Sequence, residues 1–443
     1  MRAIRPQRSG AMPVLTVCWA GAAAVMAMWW LNTPVVHMDL AEWLTGAGRL
    51  TGLLGGYLIA IVVLLMARVP ALERRVGSDR VARWHAIGGR YAVSLIIAHV
   101  VLIVWGYSVQ ANIGLMEQTV AVVTDFPRMI EATIGTVLFL VIGGVSAGAV
   151  RRTLRYETWY YIHLLTYVAV YLTFWHQLVT GAEFVGDATA RTAWYVLYGA
   201  AGALLLWYRV LAPIRLNLFH RMRVDSTVQE APGVVSVLIT GRRLHRLGAE
   251  PGQFLRWRFL TDGLRWSSNP YSLSAPPRPD LLRITVKANG EHSEALARLE
   301  PGTRIWAEGP YGAMTAARRS QDKVLMIAGG AGITPMRALF ETLPGEPGDL
   351  TLLYRASKTE DLALWRELRE IASARGARLL YAVNGPDGVR PEITPERLKE
   401  LLPDIDDHDV YVCGPTGLAR QSYEALREAG VPTRRIHHES FEM

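Results

Sequence analysis

Four histidines lie inside hydrophobic segments of the chain, His85 and His99 in one segment and His163 and His176 in another. Their spacings of 14 and 13 residues place each pair about 20 Å apart along a helix. An ionisable side chain is costly in lipid, and neutral imidazole is a common axial ligand of haem iron. Two such helices side by side would therefore hold two stacked haems.

Other roles compete with haem binding for these histidines. A single histidine in an apolar helix is often a hydrogen-bonded core residue, and several together can form a proton relay. The matched pairs favour bis-histidine ligation over both roles. At about 100° per residue, a spacing of 14 returns close to the same helix face, whereas 13 misses it by about 140°. We therefore expect the segment between His163 and His176 to be overwound, bent or irregular.

The elements that position these residues are six apolar segments, each long enough to cross a bilayer. They run near residues 12–31, 46–67, 84–107, 129–150, 157–179 and 192–212. Arginines precede the first segment, as in a signal peptide, but it is too long and leads into further spans. We interpret residues 1–213 as a six-helix transmembrane domain whose two ends lie on the same side.

The loops between the spans differ in charge. The arginine-rich loops are residues 2–8, 68–83, 151–155 and 215–223. By the positive-inside rule, both termini and everything after residue 213 are cytoplasmic in a multi-pass protein of the cell membrane. His85 and His163 would then lie near the inner face, and His99 and His176 near the outer face. These loops also explain most of the net charge of +8, so it does not indicate a nucleic-acid partner.

After the last span the composition becomes that of a soluble protein. Segments 234–240, 254–260 and 282–287 are short and rich in β-branched and aromatic residues, which predicts an antiparallel β-barrel over residues 214–319. Strands then alternate with helices, which predicts an α/β domain with a parallel sheet over residues 320–443. The fold class is thus a multidomain membrane protein with an all-α bundle followed by these two domains. The chain's two cysteines exclude a Cys-ligated iron–sulfur cluster within it.

A Gly-rich turn stands between an apolar strand and a helix in the α/β domain. It contains Gly329, Gly330 and Gly332, followed by Thr334 and Pro335. Glycines let the backbone approach a diphosphate, Thr334 is expected to cap the helix, and Pro335 fits the first helical turn. The turn therefore predicts a dinucleotide site.

Two segments of the predicted barrel fit a flavin. The first consists of Asn269, Pro270, Tyr271 and Ser272, and the second of Lys287, Gly290 and Ser293. The first segment offers an aromatic ring for the isoalloxazine or ribityl chain and a hydroxyl group. The second offers a cation, a glycine for close approach and a hydroxyl for a diphosphate.

The choice of nicotinamide nucleotide depends on the end of the next predicted strand. Arg355, Ser357 and Lys358 stand where an NAD enzyme often carries an acidic residue. Basic and hydroxyl groups can hold a 2′-phosphate, which favours NADPH. A solvated helix start explains the same residues almost as well, so NADH stays open as an alternative.

Nearly the whole chain resembles the ferric reductase and NADPH oxidase superfamily. Its members join a six-helix domain with two b-type haems to a ferredoxin-reductase-like module that binds FAD and NAD(P)H. The resemblance rests on the histidine spacings, on Pro270, Tyr271 and Ser272, and on the Gly-rich turn. Asn269 departs from the family pattern, which usually has a basic residue there.

The resemblance implies further site residues. The turn of Cys413, Gly414 and Pro415 would lie near the nicotinamide, and Phe441 would cover the flavin face. Ser272, Cys413 and Phe441 are the candidate catalytic residues on this basis.

The resemblance also implies an activity. Hydride from NADPH would reduce FAD in the cytoplasm, and single electrons would pass to an inner haem held by His85 and His163. An outer haem held by His99 and His176 would then reduce an external acceptor. A ferric chelate reductase and a superoxide-producing oxidase both fit, and the short outer loops do not decide. A transporter or channel with a reductase-like regulatory domain is an alternative, but it predicts more polar residues in the spans.

Overall fold

The computed structural model describes residues 11–33, 38–154, 156–288, 290–385 and 389–440. These residues form two compact units. One contains Ala11–Val69 and Arg80–Arg209, and the other contains Pro70–Asp79 and the described residues from Val210 onward. The division into domains at residues 1–213, 214–319 and 320–443 stays a prediction.

Six helical stretches of the described residues are long and apolar enough to cross a membrane, which confirms the predicted number of spans. They are Ala11–Leu31, Leu40–Leu65, Arg80–Ala111, Met129–Ser146, Thr158–Thr180 and Ala188–His220. The second stretch begins at a capping box, in which Asp39 Oδ1 accepts the amide of Glu42 at 2.8 Å and Glu42 Oε2 accepts that of Asp39 at 3.0 Å. Individual helices are α1 (Ala11–Leu31), α2 (Leu40–Leu65), α3 (Pro70–Val76), α4 (Ser78–Ala111), α5 (Leu115–Asp125), α6 (Met129–Ser146), α7 (Gly148–Arg151), α8 (Tyr156–Leu164), α9 (Thr166–Thr180), α10 (Ala182–Val185), α11 (Ala188–Leu206) and α12 (Ala212–His220).

The fifth span is interrupted at Leu165, between α8 and α9. The amide of Leu165 donates to the carbonyl of Ile162, three residues earlier, at 3.1 Å. The hydroxyl of Thr166 donates to the carbonyl of His163. A three-residue turn is wound more tightly than an α-helix, so it adds rotation between His163 and His176. The irregularity predicted for this segment is confirmed.

The antiparallel part of the second unit consists of two three-stranded sheets, ordered β1-β2-β5 and β4-β3-β6. The strands are β1 (Arg223–Ala231), β2 (Val234–Thr240), β3 (Phe254–Phe259), β4 (Asn269–Ser272), β5 (Leu281–Lys287) and β6 (Ile305–Tyr311). Both sheets contribute to one core, in which Val237, Trp257 and Ile284 are fully buried. The three strands predicted from sequence are confirmed as β2, β3 and β5. The short helix α13 (Glu291–Ala295) follows the last of them.

The parallel part is a five-stranded sheet in the order β11-β10-β7-β8-β9. Its strands are β7 (Lys323–Gly329), β8 (Leu350–Ala356), β9 (Arg378–Val383), β10 (His408–Gly414) and β11 (Ile436–Ser440). Its main helices are α14 (Ile333–Thr342), α15 (Trp365–Arg375), α16 (Pro395–Leu401) and α17 (Thr416–Glu428). The predicted alternation of strands and helices is confirmed, and β11 is an additional edge strand. Because the strands are parallel, the turns after β7, β8 and β10 all lie at the carboxyl end of the sheet.

The start of α14 differs from the expectation in one respect. The helix begins at Ile333 and has no side-chain cap. Thr334 lies inside the first turn, and its hydroxyl donates to the carbonyl of Ala331 at 2.9 Å. The prediction that Thr334 caps this helix was therefore wrong, because the residue lies too late in the turn. Pro335 does lie in the first turn, as predicted.

Candidate functional site

The four histidines form two facing pairs in the transmembrane unit. The ring centres of His85 on α4 and His163 on α8 are 5.8 Å apart, and those of His99 and His176 on α9 are 6.5 Å apart. Metal–imidazole bonds are about 2 Å long, so a metal atom between two axial imidazoles separates their ring centres by about 6 Å. Each pair therefore fits a single metal atom between its rings.

The remaining ligands of such a metal would have to come from a bound group. Within the described ranges, no group of three or more His, Cys, Asp or Glu side chains could hold a metal ion. Haem iron needs only two axial ligands from the protein, because the macrocycle supplies the other four. The donor sets thus fit haem better than a bare metal ion.

Backbone carbonyls support one histidine of each pair. Nδ1 of His85 lies 3.2 Å from the carbonyl oxygen of Val62, and Nδ1 of His99 lies 2.8 Å from that of Gly48. A ring that donates its Nδ1 proton to a carbonyl keeps Nε2 available for iron. Gly52 makes room for this arrangement, since a Cβ atom there would lie 2.5 Å from His99 Nδ1.

The two histidines of the fifth span have different surroundings. Nδ1 of His163 lies 3.3 Å from the hydroxyl oxygen of Ser146. Nδ1 of His176 is buried and makes no hydrogen bond of good geometry within the described residues, although the main chain of Thr173 interacts with its imidazole. The carbonyl of Thr173, one turn earlier, accepts the side-chain amide of Gln177 at 2.9 Å. The outer pair therefore has one well-supported ring and one weakly supported ring.

The first flavin segment forms β4, which pairs with β3. Tyr271 is half-buried, and its carbonyl accepts the indole N–H of Trp257 at 3.0 Å. Burial raises the pKa of Tyr271 to about 12, so its hydroxyl stays protonated near neutral pH. Asn269 and Pro270 pair with the middle of β3, and Ser272 is buried at the end of the strand. The segment thus presents a neutral aromatic ring beside a buried hydroxyl.

His292 is a site residue that the sequence did not single out. Its ring stacks on that of Tyr271, with centres 6.5 Å apart and planes inclined by 21°. Its Nδ1 lies 2.8 Å from the hydroxyl oxygen of Ser267, and burial lowers its pKa. Nε2 is buried and makes no hydrogen bond within the described residues. The signal was present in the predicted diphosphate segment, where His292 directly precedes Ser293.

The second flavin segment divides between two places. Gly290 adopts a φ of +117°, which favours glycine, and its carbonyl accepts the hydroxyl of Ser293 at 2.9 Å. Lys287 Nζ instead forms an ion pair with Asp361 Oδ1 of the parallel part at 3.3 Å. Lys287 also lines a pocket together with Gly330. Its charge therefore lies beside the Gly-rich turn as well as the predicted flavin segment.

The Gly-rich turn packs against the turn that follows β10. A Cβ atom on Gly332 would collide with the carbonyl oxygen of Cys413, and one on Gly329 would lie 3.4 Å from Pro415 Cδ. Gly414 lies in the same contact, since a Cβ atom there would come within 3.2 Å of the Gly329 backbone. Two motifs that are distant in sequence therefore meet at the carboxyl end of the sheet.

Glu439 on β11 is a second residue that the sequence did not single out. It pairs in register with Cys413, whose sulfur lies 3.8 Å from its carbonyl oxygen. Its carboxylate lies close to Gly312 of the antiparallel part, because a Cβ atom there would be 3.1 Å from Oε1. This places a carboxylate beside the predicted nicotinamide turn. Phe441, the predicted cover of the flavin, lies outside the described residues.

The predicted 2′-phosphate residues lie at the end of β8. Arg355 Nη1 donates to the side-chain oxygen of Gln421 at 3.1 Å, whereas Ser357 and Lys358 are exposed. Burial and the nearby charge of Arg390 both lower the pKa of Arg355. Arginine remains charged even so, because its ordinary pKa is above 12. Arg390 thus adds a second guanidinium to the predicted 2′-phosphate residues, and the sequence alone did not reveal it.

Two family profiles match the chain. Residues 51–174 match the ferric reductase like transmembrane component, and residues 326–423 match the oxidoreductase NAD-binding domain. The first match includes three of the four histidines and ends two residues before His176.

Curated relatives and solved structures also match. The stachydrine N-demethylase reductase subunit Stc4 of Rhizobium meliloti (strain 1021) is 32% identical over 225 residues, which are 48% of this chain and 64% of that protein. The flavohemoprotein of Deinococcus radiodurans is 30% identical over 290 residues, which are 59% of this chain and 71% of that protein. The crystal structure of flavohemoglobin from Malassezia yamatoensis with bound FAD and heme covers 94% of this chain and 98% of its own, at a TM-score of 0.46 and 18% identity. That structural similarity is too low to establish a common fold.

The chain covers less than two thirds of the first of these relatives. The two profiles, the six apolar helices and the reductase relatives nevertheless agree with one another. The chain joins a ferric reductase-like transmembrane component with six apolar helices to an oxidoreductase NAD-binding domain, which is the architecture of ferric reductases and NADPH oxidases.

Proposed function

We propose that the protein carries electrons from cytoplasmic NAD(P)H through FAD and two b-type haems to an acceptor outside the cell membrane, as a ferric chelate reductase-like enzyme. The observation that supports this most directly is the pair of histidine separations, 5.8 and 6.5 Å, within the helices of a ferric reductase-like membrane component. FAD, when bound, takes the two electrons of a hydride and releases them singly, as haem iron requires.

The nucleotide would bind at the carboxyl end of the sheet, where the turns after β7 and β10 meet. The Gly-rich turn lets the dinucleotide backbone approach, and the amino-terminal end of α14 favours its negative charge. Arg355, Lys358 and Arg390 supply positive charge for a 2′-phosphate, which favours NADPH over NADH. The carboxylate of Glu439 and the thiol of Cys413 would face the nicotinamide end of the same site.

The flavin would bind to the antiparallel part. The ring of Tyr271 provides a flat apolar surface, and Ser272 provides a buried hydroxyl for a hydrogen bond. The amides around Gly290 and Ser293 would hold the diphosphate of FAD. Asn269 brings no charge to this segment, so the phosphate would depend on these neutral donors.

The haems would bind between the paired rings. Nε2 of His85 and His163 would hold the inner iron, and Nε2 of His99 and His176 the outer iron. The carbonyls that accept the Nδ1 protons of His85 and His99 keep those rings in the required tautomer. The arginine-rich loops support an orientation with both termini in the cytoplasm. Electrons would therefore move outward.

The identity of the acceptor separates the proposed function from its main alternative. A superoxide-producing oxidase would use the same electron path and differ only at the outer haem. The match of residues 326–423 to an oxidoreductase NAD-binding domain argues against the transporter alternative.

One experiment tests the proposal and names the acceptor. Purified full-length protein is expected to contain about two haems per chain with low-spin b-type spectra, and anaerobic NADPH is expected to reduce both. A ferric chelate and oxygen are then added to separate samples. Rapid haem reoxidation by the chelate supports the reductase, and reoxidation by oxygen alone would make the protein an oxidase. Absence of haem reduction by NADPH would refute the electron path.

Ligand variants test the histidine assignment independently. His99→Ala and His163→Ala are each expected to lose one haem, because an apolar side chain leaves the iron without an axial ligand. His245→Ala serves as the matched control, since this histidine is exposed in the second unit. Full haem content in either ligand variant would contradict the assignment.

A further inference from the structure

Three side chains from neighbouring segments surround His163 in the transmembrane unit. The hydroxyl oxygen of Ser146, at the end of α6, lies 3.3 Å from His163 Nδ1 and accepts the indole N–H of Trp159 at 3.3 Å. The Trp159 ring stacks on the imidazole, with centres 5.1 Å apart and planes inclined by 22°. The guanidinium carbon of Arg151 lies 4.4 Å from the centre of the Trp159 ring. The imidazole thus contacts a hydroxyl and an indole, and a cation lies over the same indole ring.

The other three histidines have a different kind of support. His85 and His99 are paired with main-chain carbonyls, and His176 interacts with the main chain of Thr173 without a hydrogen bond of good geometry. Among the Nδ1 contacts of the four histidines within the described residues, only that of His163 is made by a side chain. A single side-chain substitution can therefore remove that contact. The inner pair is therefore sensitive to the loss of one hydroxyl group, whereas the Nδ1 atoms of the outer pair contact no hydroxyl group among the described residues.

Two opposing effects on the inner iron follow from these contacts. A ligand histidine that donates its second N–H becomes more basic, which stabilises ferric iron. The hydroxyl oxygen of Ser146 accepts a hydrogen bond from this N–H and another from the indole of Trp159. A positive charge nearby has the reverse effect, because it favours the less positive, ferrous state. Arg151 supplies such a charge beside the Trp159 ring.

We propose that Ser146 is a positioning residue for His163, and that Ser146, Trp159 and Arg151 together set the reduction potential of the inner haem. This inference rests on the proposed function, because it requires a haem between His85 and His163. The reaction concerned is the uptake of one electron, supplied by reduced flavin, which converts the ferric inner iron to ferrous. Ser146 exchanges no proton and forms no bond to iron. Its hydroxyl holds the ring so that Nε2 faces His85.

Spectroscopic redox titration of the full-length protein tests the inference without measuring turnover. Ser146→Ala is expected to raise the potential of the inner haem, because the ligand becomes less basic. Arg151→Gln is expected to lower it, because the cation is lost. For each variant we expect the reduced-to-oxidised ratio at a fixed potential to change by about tenfold, which is about 59 mV for one electron. The inner haem is the component that remains in His99→Ala.

Matched variants separate tuning from structural damage. Thr136 lies on the same helix as Ser146, but its hydroxyl donates to a carbonyl of that helix, the carbonyl of Ala132, at 2.8 Å. Thr136→Ala and Arg152→Gln, an exposed neighbour of Arg151, are expected to leave both potentials unchanged. Ser146→Thr keeps the hydroxyl and is expected to restore the wild-type potential.

The outcomes distinguish this inference from the proposed function. Wild-type protein without haem would refute the proposed function, and the inference with it. Wild-type haem content with unchanged potentials in Ser146→Ala and Arg151→Gln would refute the inference alone. If Ser146→Ala loses haem, restoration of both haem and potential by Ser146→Thr supports the positioning role, and failure of that restoration overturns it. Shifts of the same sign in both variants would overturn the opposing-effects argument.

Discussion

Glu367, near the start of α15, links the antiparallel and parallel parts of the second unit. Its carboxylate accepts two hydrogen bonds from Arg283 on β5, at 2.7 and 2.9 Å, and one from Arg337 on α14 at 2.8 Å. The side chains of Arg283 and Arg337 are 14% and 11% exposed, and that of Glu367 is 30% exposed. Burial alone would raise the pKa of Glu367, but the two guanidinium groups outweigh it and hold the pKa below its ordinary value of 4.5.

Replacement of Glu367 by glutamine would remove the carboxylate that pairs with the largely buried guanidinium of Arg283, and would leave Arg337 with Glu341 as its counter-charge. Removing one partner of a fully buried ion pair costs about 3–5 kcal/mol. Because Glu367 is partly exposed, solvent screening reduces the expected loss in the free energy of unfolding to about 2–3 kcal/mol. For a unit of this size, that loss corresponds to a decrease of about 5–10 °C in the apparent melting temperature.

The assay is thermal unfolding of the full-length protein, combined with hydrogen exchange of β5, α14 and α15. Glu370→Gln is the matched control, because Glu370 is an exposed carboxylate on the same helix. We expect that variant to change stability by less than about 0.5 kcal/mol. Faster exchange of all three elements in Glu367→Gln, and not in the control, would show that the link between the two parts is weakened.

The same variant predicts a pH dependence. A carboxyl group whose pKa is lower in the folded state stabilises the fold above its unfolded pKa, and this contribution is lost as the pH falls through the folded pKa. The stability difference between wild type and Glu367→Gln should therefore be largest near neutral pH and shrink below about pH 4.5. Equal melting temperatures for Glu367→Gln and Glu370→Gln at neutral pH would refute the reasoning.

Three further predictions concern the cofactor sites. Gly52→Ala should lose the outer haem, because the new methyl group would displace the His99 ring. Gly89→Ala is the control, because a Cβ atom there has open space, and it should keep full haem content in pyridine haemochrome analysis. Gly332→Ala should weaken NADPH binding at least tenfold in fluorescence titration, because its Cβ atom would force apart the two turns of the nucleotide site, and unchanged affinity would contradict this packing. Arg355→Gln should lower kcat/KM for NADPH about tenfold and that for NADH little, and a wild-type preference for NADH would remove the proposed role of Arg355.

The sequence predicts most elements of this fold because they carry strong local signals. Central strands such as β7 and β10 are continuous apolar runs, and the membrane helices are long apolar segments. The strands that the sequence did not predict are β1, β4, β6 and β11, and all four lie at sheet edges. An edge strand has a neighbour on one side only, so its apolar pattern is weaker. Pro270 in β4 is tolerated for the same reason.

The candidate site was predictable where its chemistry depends on residue types and spacing, and not where it depends on contacts between distant segments. The four histidines stand out because polar groups are costly in a membrane. Ser146, Glu439 and Glu367 do not stand out, because serine and glutamate are common and their partners are far away in sequence. The Nδ1 partner of His99 is a carbonyl, which no residue type can indicate.

The main-chain support of His85 and His99 has a consequence for how this protein can vary. Every amino acid has a carbonyl group, so substitutions at Val62 would leave the hydrogen bond to His85 in place. These two hydrogen bonds therefore do not depend on the side chain of the residue that supplies the carbonyl. The hydroxyl next to His163 can be removed by one substitution that spares every ligand. Adaptation of the protein to a donor or acceptor of different potential would therefore begin at Ser146.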